Sequence, residues 1–150
     1  MNGFFKNCSS IYSIDFSNFD TSKVNNMGWM FNNCHKLKEI KGINKFNTNQ
    51  VTKMNSMFQE CIEIEYLDLS NFDTSKVNDM GWMFFNCLKL KYLNLLNFSL
   101  NNECLITNIF KYINHNECQF FTNDIKLKNL FQQYNYKIYI ISKSILFMIF

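Results

Sequence analysis

Six cysteines, two histidines and eight methionines are the side chains of this 150-residue sequence with the most distinctive reactivity. Cys8, Cys34, Cys61 and Cys87 recur at intervals of 26, 27 and 26 residues. Zinc and soft-metal sites draw on close pairs such as C-x2-C, and this sequence has none. One cysteine per interval suits a buried thiol used as a small apolar packing residue. Cross-links between neighbouring units stay open as a second reading if the protein is secreted. His35 and His115 stand alone, with no serine or cysteine nucleophile motif beside either, so no catalytic dyad is expected. Met27, Met54 and Met80 form a column that a soft metal could use, but their helical spacing to neighbouring Phe and Cys fits core packing. Gly28 and Gly81, each followed by Trp, are expected on an exposed side and form no phosphate-binding G-x-G-x-x-G. Asn7-Cys8-Ser9 and Asn97-Phe98-Ser99 match the glycosylation triplet, which an Asn-rich chain produces by chance. These residues lead to no catalytic, metal or cofactor site, and the protein is not expected to be an enzyme.

The remaining candidate chemistry is recognition. Ser13, Glu39, Tyr66 and Tyr92 fall in one column of the repeat, and Asp15, Lys41, Asp68 and Asn94 in the next. Tyr66 and Tyr92, flanked by Asp68 and Asn94, make an amphipathic patch of the kind that binds proteins. A competing reading treats both columns as the solvated face that any stack of units must show to water.

Positioning such columns requires a repeating scaffold, and the chain supplies one. NFDTSKVNNM, Asn18 to Met27, returns as NFDTSKVNDM, Asn71 to Met80, with the looser KFNTNQVTKM between them at Lys45 to Met54. Phe19, Phe46, Phe72 and Phe98 follow at 27, 26 and 26 residues. The extra residue falls near Gly42, where a bulge or loosened turn is expected. In the first half of each unit, apolar residues alternate with period two, as at Leu67 and Leu69, which predicts a half-buried strand. Strand positions begin near Ile11, Leu37, Ile64 and Leu90. FDTS supplies a turn. In the second half, Met27, Met30, Phe31 and Cys34 stand at i, i+3, i+4 and i+7, which predicts a short helix. Met54 to Cys61 and Met80 to Cys87 repeat it, Ile106, Ile109, Phe110 and Ile113 give a substituted copy, and Phe4, Phe5 and Cys8 a truncated one. Asn25, Thr52 and Asn78 are the expected N-caps.

Bulk composition agrees with one domain. Apolar residues make up 47% of the chain, Phe occurs 17 times, and Pro is absent. Asn, Lys, Ile, Phe and Tyr abound, a bias partly of genomic origin that lowers the meaning of any single exposed residue. The net charge of +3 is carried by Lys alone, without the Arg that phosphate recognition favours, so no nucleic-acid surface is expected. Met1 to Ser10 contains no continuous apolar stretch, so no secretory signal is expected in the chain.

LDLSNFDTSKVNDMGWMFFNC, Leu67 to Cys87, resembles the roughly 26-residue repeat of bacterial surface proteins, the BspA-like leucine-rich repeats, which also occurs in mycoplasma-type lipoproteins of unknown function. The likeness spans about residues 4–98, with a degraded copy to about 115. The resemblance implies a curved leucine-rich-repeat-like solenoid, displayed on a cell surface or outside the cell, that serves adhesion or protein binding without catalysis.

From Gln119 onward the register is lost. Leu127, Leu130, Phe131 and Tyr134 have helical spacing, with Asn123 or Asp124 as cap. YKIYIISKSILFMIF, Tyr136 to Phe150, is apolar but shorter than the roughly 20 residues that span a bilayer. It reads as a cap, as fragmentary sequence, or, least in keeping with its length, as a membrane-inserting tail. The expectation is therefore an α/β, leucine-rich-repeat-like solenoid of about four repeats, with short parallel strands on one face and short helices on the other. Units lie near 1–27, 28–54, 55–80 and 81–115, and residues 116–150 form a divergent segment, a cap or poorly ordered. The expected role is a non-enzymatic module that binds an unknown protein or cell-surface ligand. The rival is a truncated or decaying repeat fragment without independent activity.

Overall fold

Period-two alternation places a short strand in every unit. The computed structural model describes residues 1–133 and 138–139. Ser13–Asp15 (β1) pairs in parallel with Glu39–Lys41 (β2). Tyr66–Asp68 (β3), Tyr92–Leu95 (β4), Gln119–Thr122 (β5) and Ile138–Tyr139 (β6) form a second parallel sheet in that order. The inward residues Ile14, Ile40, Leu67, Leu93 and Phe120 are all buried, because successive side chains of a strand point to opposite faces. The two sheets part at the unit that carries the extra residue. After β2 the chain enters Gly42 at φ 77° and a 3-10 turn, Ile43–Lys45. A Cβ on Gly42 would lie 2.7 Å from the Ser17 nitrogen, so only glycine fits.

The expected α/β solenoid with a row of helices is corrected by this structure. It forms two short parallel sheets, and among the described residues the sole α-helix is α1, Ile125–Gln133, outside the repeated motif. The segments read as helices are runs of turns. Two positions in each copy are left-handed: Trp29 and Asn33, Ser56 and Glu60, Trp82 and Asn86, all with φ between 54° and 62°. A right-handed helix cannot pass through such residues. The amides divide their bonding instead. Met30, Asn32 and Cys34 close turns onto Met27, Trp29 and Phe31, while Met27, Trp29, Phe31 and Asn33 each donate to the next unit's carbonyls at 2.9 Å. A stretch of about eight residues gains little as an isolated helix, so bonding between units prevails.

The residues expected as N-caps join this ladder: Thr52 N–H donates to Asn25 O at 2.8 Å and Asn78 N–H to Thr52 O at 2.9 Å. Side-chain capping of a turn falls to their neighbours, with Asn26 Oδ1 accepting from Gly28 N–H and Asp79 Oδ1 from Gly81 N–H. Gly28 and Gly81 are buried, not exposed; a Cβ on Gly28 would meet Asn55 Oδ1 at 2.7 Å.

The apolar face that suggested a helix does form the core. Phe5, Phe31, Phe58, Phe84 and Phe110 stack ring on ring at 6.0, 5.5, 5.7 and 5.7 Å. Met27, Met54 and Met80 are fully buried beside them. Burying one such side chain stabilises the fold by roughly 1.5–3 kcal/mol. A second column, Thr21, Thr48 and Thr74, is buried yet polar, and each hydroxyl bonds both ways to the next unit. Leu100 ends that column. Its N–H donates to Asp124 Oδ2 at 2.8 Å, while Asp124 Oδ1 caps α1 through Lys126 and Leu127 N–H. From α1, the Phe131 ring packs 4.7 Å from Phe110 and 4.5 Å from Phe120, covering the end of the stack.

Strand pairing continues past Gln119, where the sequence register fades, because β5 pairs with β4 at an offset of 27 residues. Tyr134 and the competing readings of residues 136–150 lie outside the described residues, save the backbone of 138 and 139.

Candidate protein-binding face

Strand register decides which of the eight candidate residues meet. Ser13 lies opposite Glu39 and Asp15 opposite Lys41 on the first sheet. On the second sheet, Tyr66 lies opposite Tyr92 and Asp68 opposite Asn94. The break between β2 and β3 divides the two quartets, so they do not form one continuous hydrogen-bonded sheet.

Within the quartets, roles differ. Asp15 Oδ1, Asp68 Oδ1 and Asn94 Oδ1 each accept a bond from the N–H two residues on, at 2.8, 3.0 and 3.2 Å, and so end their strands in Asx turns. Hydrogen bonds from Ser17 hold the Asp15 carboxyl below its ordinary value, with Lys41 and Lys45 adding to the effect. Lys41 stands where the other units carry the turn acceptor, and Gly42 makes the turn in its place. Asn94 is only 7% exposed, which removes its side chain from the surface. Ser13, Asp15, Glu39, Lys41, Tyr66 and Asp68 are exposed, and Tyr92 is half-buried.

Tyr66 is the most open aromatic of the strand face, 66% exposed, with its ring 6.5 Å from that of Tyr92. Tyr92 leans on Phe121 of β5 at 4.9 Å. Burial and the nearby Asp68 raise the Tyr92 hydroxyl above its ordinary value. The two tyrosines border an open groove of about 400 Å³ whose other walls are Lys91, Glu117 and Gln119. Lys91 Nζ donates to Glu65 Oε2 at 2.8 Å, which pushes the lysine up. A second depression of about 320 Å³ lies among Tyr12, His35, Lys36, Lys38, Ile62 and Glu63. There Glu63 bonds Lys89 at 2.7 Å and faces Lys38 at 4.0 Å, and its carboxyl is held down chiefly by Lys89. Sequence reasoning missed Gln119, Phe121, Lys91 and Glu117. A 27-residue offset from Tyr92 would have found the first two.

The other residues singled out by type have structural places. Cys34, Cys61 and Cys87 are buried, and each thiol donates to a phenylalanine carbonyl of the preceding unit at 3.1–3.2 Å. Burial pushes Cys34 up to about 11, Cys118 up to about 12, and Cys61 and Cys87 far above the ordinary thiol range. All six cysteines are free thiols. His35 and His115 are exposed. Among the described residues no group of three His, Cys, Asp or Glu side chains could hold a metal ion. No helix among them is long and apolar enough to cross a membrane.

No curated protein and no solved structure matches the chain. A family model described as "Mycoplasma protein of unknown function, DUF285" matches residues 1–123. That span takes in β1 to β5 and ends just before α1. With its stacked units and most of its length inside the match, this chain belongs to the DUF285 family of mycoplasma proteins.

Proposed function

We propose that the chain is a non-enzymatic binding module whose strand face engages a protein partner, within a surface protein similar to those carrying BspA-like repeats. The observation that carries this reading is the Tyr66–Tyr92 pair, aromatic rings held side by side on two paired strands with the outer one 66% exposed. Tyrosine is favoured at protein interfaces because it adds apolar area and a hydrogen-bonding tip with little entropy to lose. The buried columns repeat nearly the same residues from unit to unit, whereas the outward column changes from Ser13 to Glu39 to Tyr66 and keeps tyrosine at Tyr92. A scaffold with a variable face has that pattern.

The test is retention of the purified chain on immobilised extracellular-matrix and cell-surface proteins, read by surface plasmon resonance. Tyr66→Ser is expected to weaken retention about tenfold, as truncating an aromatic anchor does. Trp82→Ser, on the turn face, is expected to leave it unchanged. Equal losses in both variants, or none in either, would show that the strand face is not the contact surface.

A further inference from the structure

Of the four tyrosines whose side chains are described, two already lie beside an ammonium of this chain. Lys36 Nζ is 5.6 Å from the Tyr12 ring centroid and Lys111 Nζ is 5.1 Å from that of Tyr112. Lys6 serves Trp29 in the same way at 5.8 Å. Tyr66 and Tyr92 have no such cation over their rings among the described residues. Their surroundings are of the opposite sign. Glu117 lines the groove beside them, Asp68 acts on the Tyr92 hydroxyl, and Glu65 occupies the ammonium of Lys91. Glu117 acts on that same lysine. Two carboxylates, Glu117 and Asp68, thus lie beside the tyrosine pair, and the groove's own ammonium, Lys91, is already paired with a third, Glu65. This stands out on a chain whose net charge is +3.

Ring faces attract cations through their quadrupole, and carboxylates at the rim add attraction and exclude acidic partners. We infer that the Tyr66–Tyr92 groove receives an arginine or lysine side chain projecting from a basic segment of the protein partner. The groove volume of about 400 Å³ is ample for one such side chain. The inference rests on the strand face being the contact surface, and it names what that surface selects. The depression at Tyr12 differs in charge: it is lined by Lys36 and Lys38, and its one carboxylate, Glu63, is already bonded to Lys89 and faces Lys38, which disfavours the same segment.

The full chain, with isotope-labelled tyrosine rings, is titrated by NMR with capped tetra-arginine, tetra-glutamate and deca-proline peptides. Tetra-arginine is expected to shift the Tyr66 and Tyr92 resonances saturably, and less as salt is raised, while Tyr12 and Tyr112 stay in place. Combined Glu65→Gln and Glu117→Gln, both surface changes, should lower that affinity at least about fivefold with circular dichroism unchanged. Shifts at Tyr66 and Tyr92 from deca-proline but not from tetra-arginine would overturn the inference, as would equal shifts at all four tyrosines. Loss of retention in Tyr66→Ser alongside no tetra-arginine binding overturns the cation alone and leaves the strand face standing. Unchanged retention in Tyr66→Ser removes the face, and this inference falls with it.

Discussion

Thr48 shows how much one side chain does between units. Its hydroxyl donates to Asp73 O at 3.0 Å and accepts from Asp73 N–H at 2.8 Å, while only 2% exposed. Valine has the same shape but strands both backbone groups in the interior, so Thr48→Val should cost about 2–3 kcal/mol, read as a lower urea midpoint. The thiols stake their contribution on staying neutral. Folding raises the pKa of Cys34 from 9.0 to about 11 through burial, and those of Cys61 and Cys87 further. A group whose pKa is raised by folding contributes fully below its unfolded value and loses that contribution as pH climbs. Stability should therefore fall from pH 9 through about 11. Cys61→Ala combined with Cys87→Ala should flatten the urea midpoint's fall across that window; an unaltered slope would rule out thiol ionisation as its cause. At neutral pH, iodoacetamide should leave Cys61 and Cys87 unmodified until urea unfolds the chain, as mass spectrometry would record.

Elements in this chain were legible where one physical signal acted alone. Alternation marked β1 to β3 because a single buried residue in each, Ile14, Ile40 or Leu67, leaves its neighbours outward, and it marked β4 through the buried pair Leu93 and Leu95. The helices were misread because i, i+3, i+4, i+7 spacing also arises from consecutive turns with left-handed residues between them. Asn33 and Asn86 hint at such turns, since Asn tolerates that conformation, but Trp29, Glu60 and Trp82 conceal them. β5 was missed because its offset is one residue longer and its ladder residue is Phe120 in place of leucine. Of the site, alternation predicted exposure correctly for six residues; Asn94 failed because β5 runs alongside it and covers it. Charge neighbours from other units, such as Glu117, have no signature in a single repeat. α1 contains Leu127, Leu130 and Phe131 of the expected helical run, and Asp124, one of the two expected caps, has a second duty. Asp124→Ala should cost about 1–2 kcal/mol by freeing Lys126, Leu127 and Leu100 amides together. Hydrogen exchange should quicken at all three and not at Phe31; quickening at the helix alone would separate the two duties.

For the whole molecule, the buried residues form one continuous cluster from Ile14 to Phe131, so burial is shared along the chain. A charge in the central ladder should then be felt everywhere. Leu67→Asp, at a site 2% exposed, should unfold the domain, while Tyr66→Asp one residue earlier should leave circular dichroism intact. Equal loss in both would reverse the assignment of inner and outer faces.

From Met27 to Asn33, and again from Met54 to Glu60 and Met80 to Asn86, the alternate amides that leave their own unit donate to carbonyls of the unit that follows. Gly3, Phe5 and Asn7 N–H therefore face inward onto Gly28, Met30 and Asn32 O. A row of donors thus meets a row of acceptors only when neighbouring units point the same way, so this ladder sets the polarity of the units as well as their spacing.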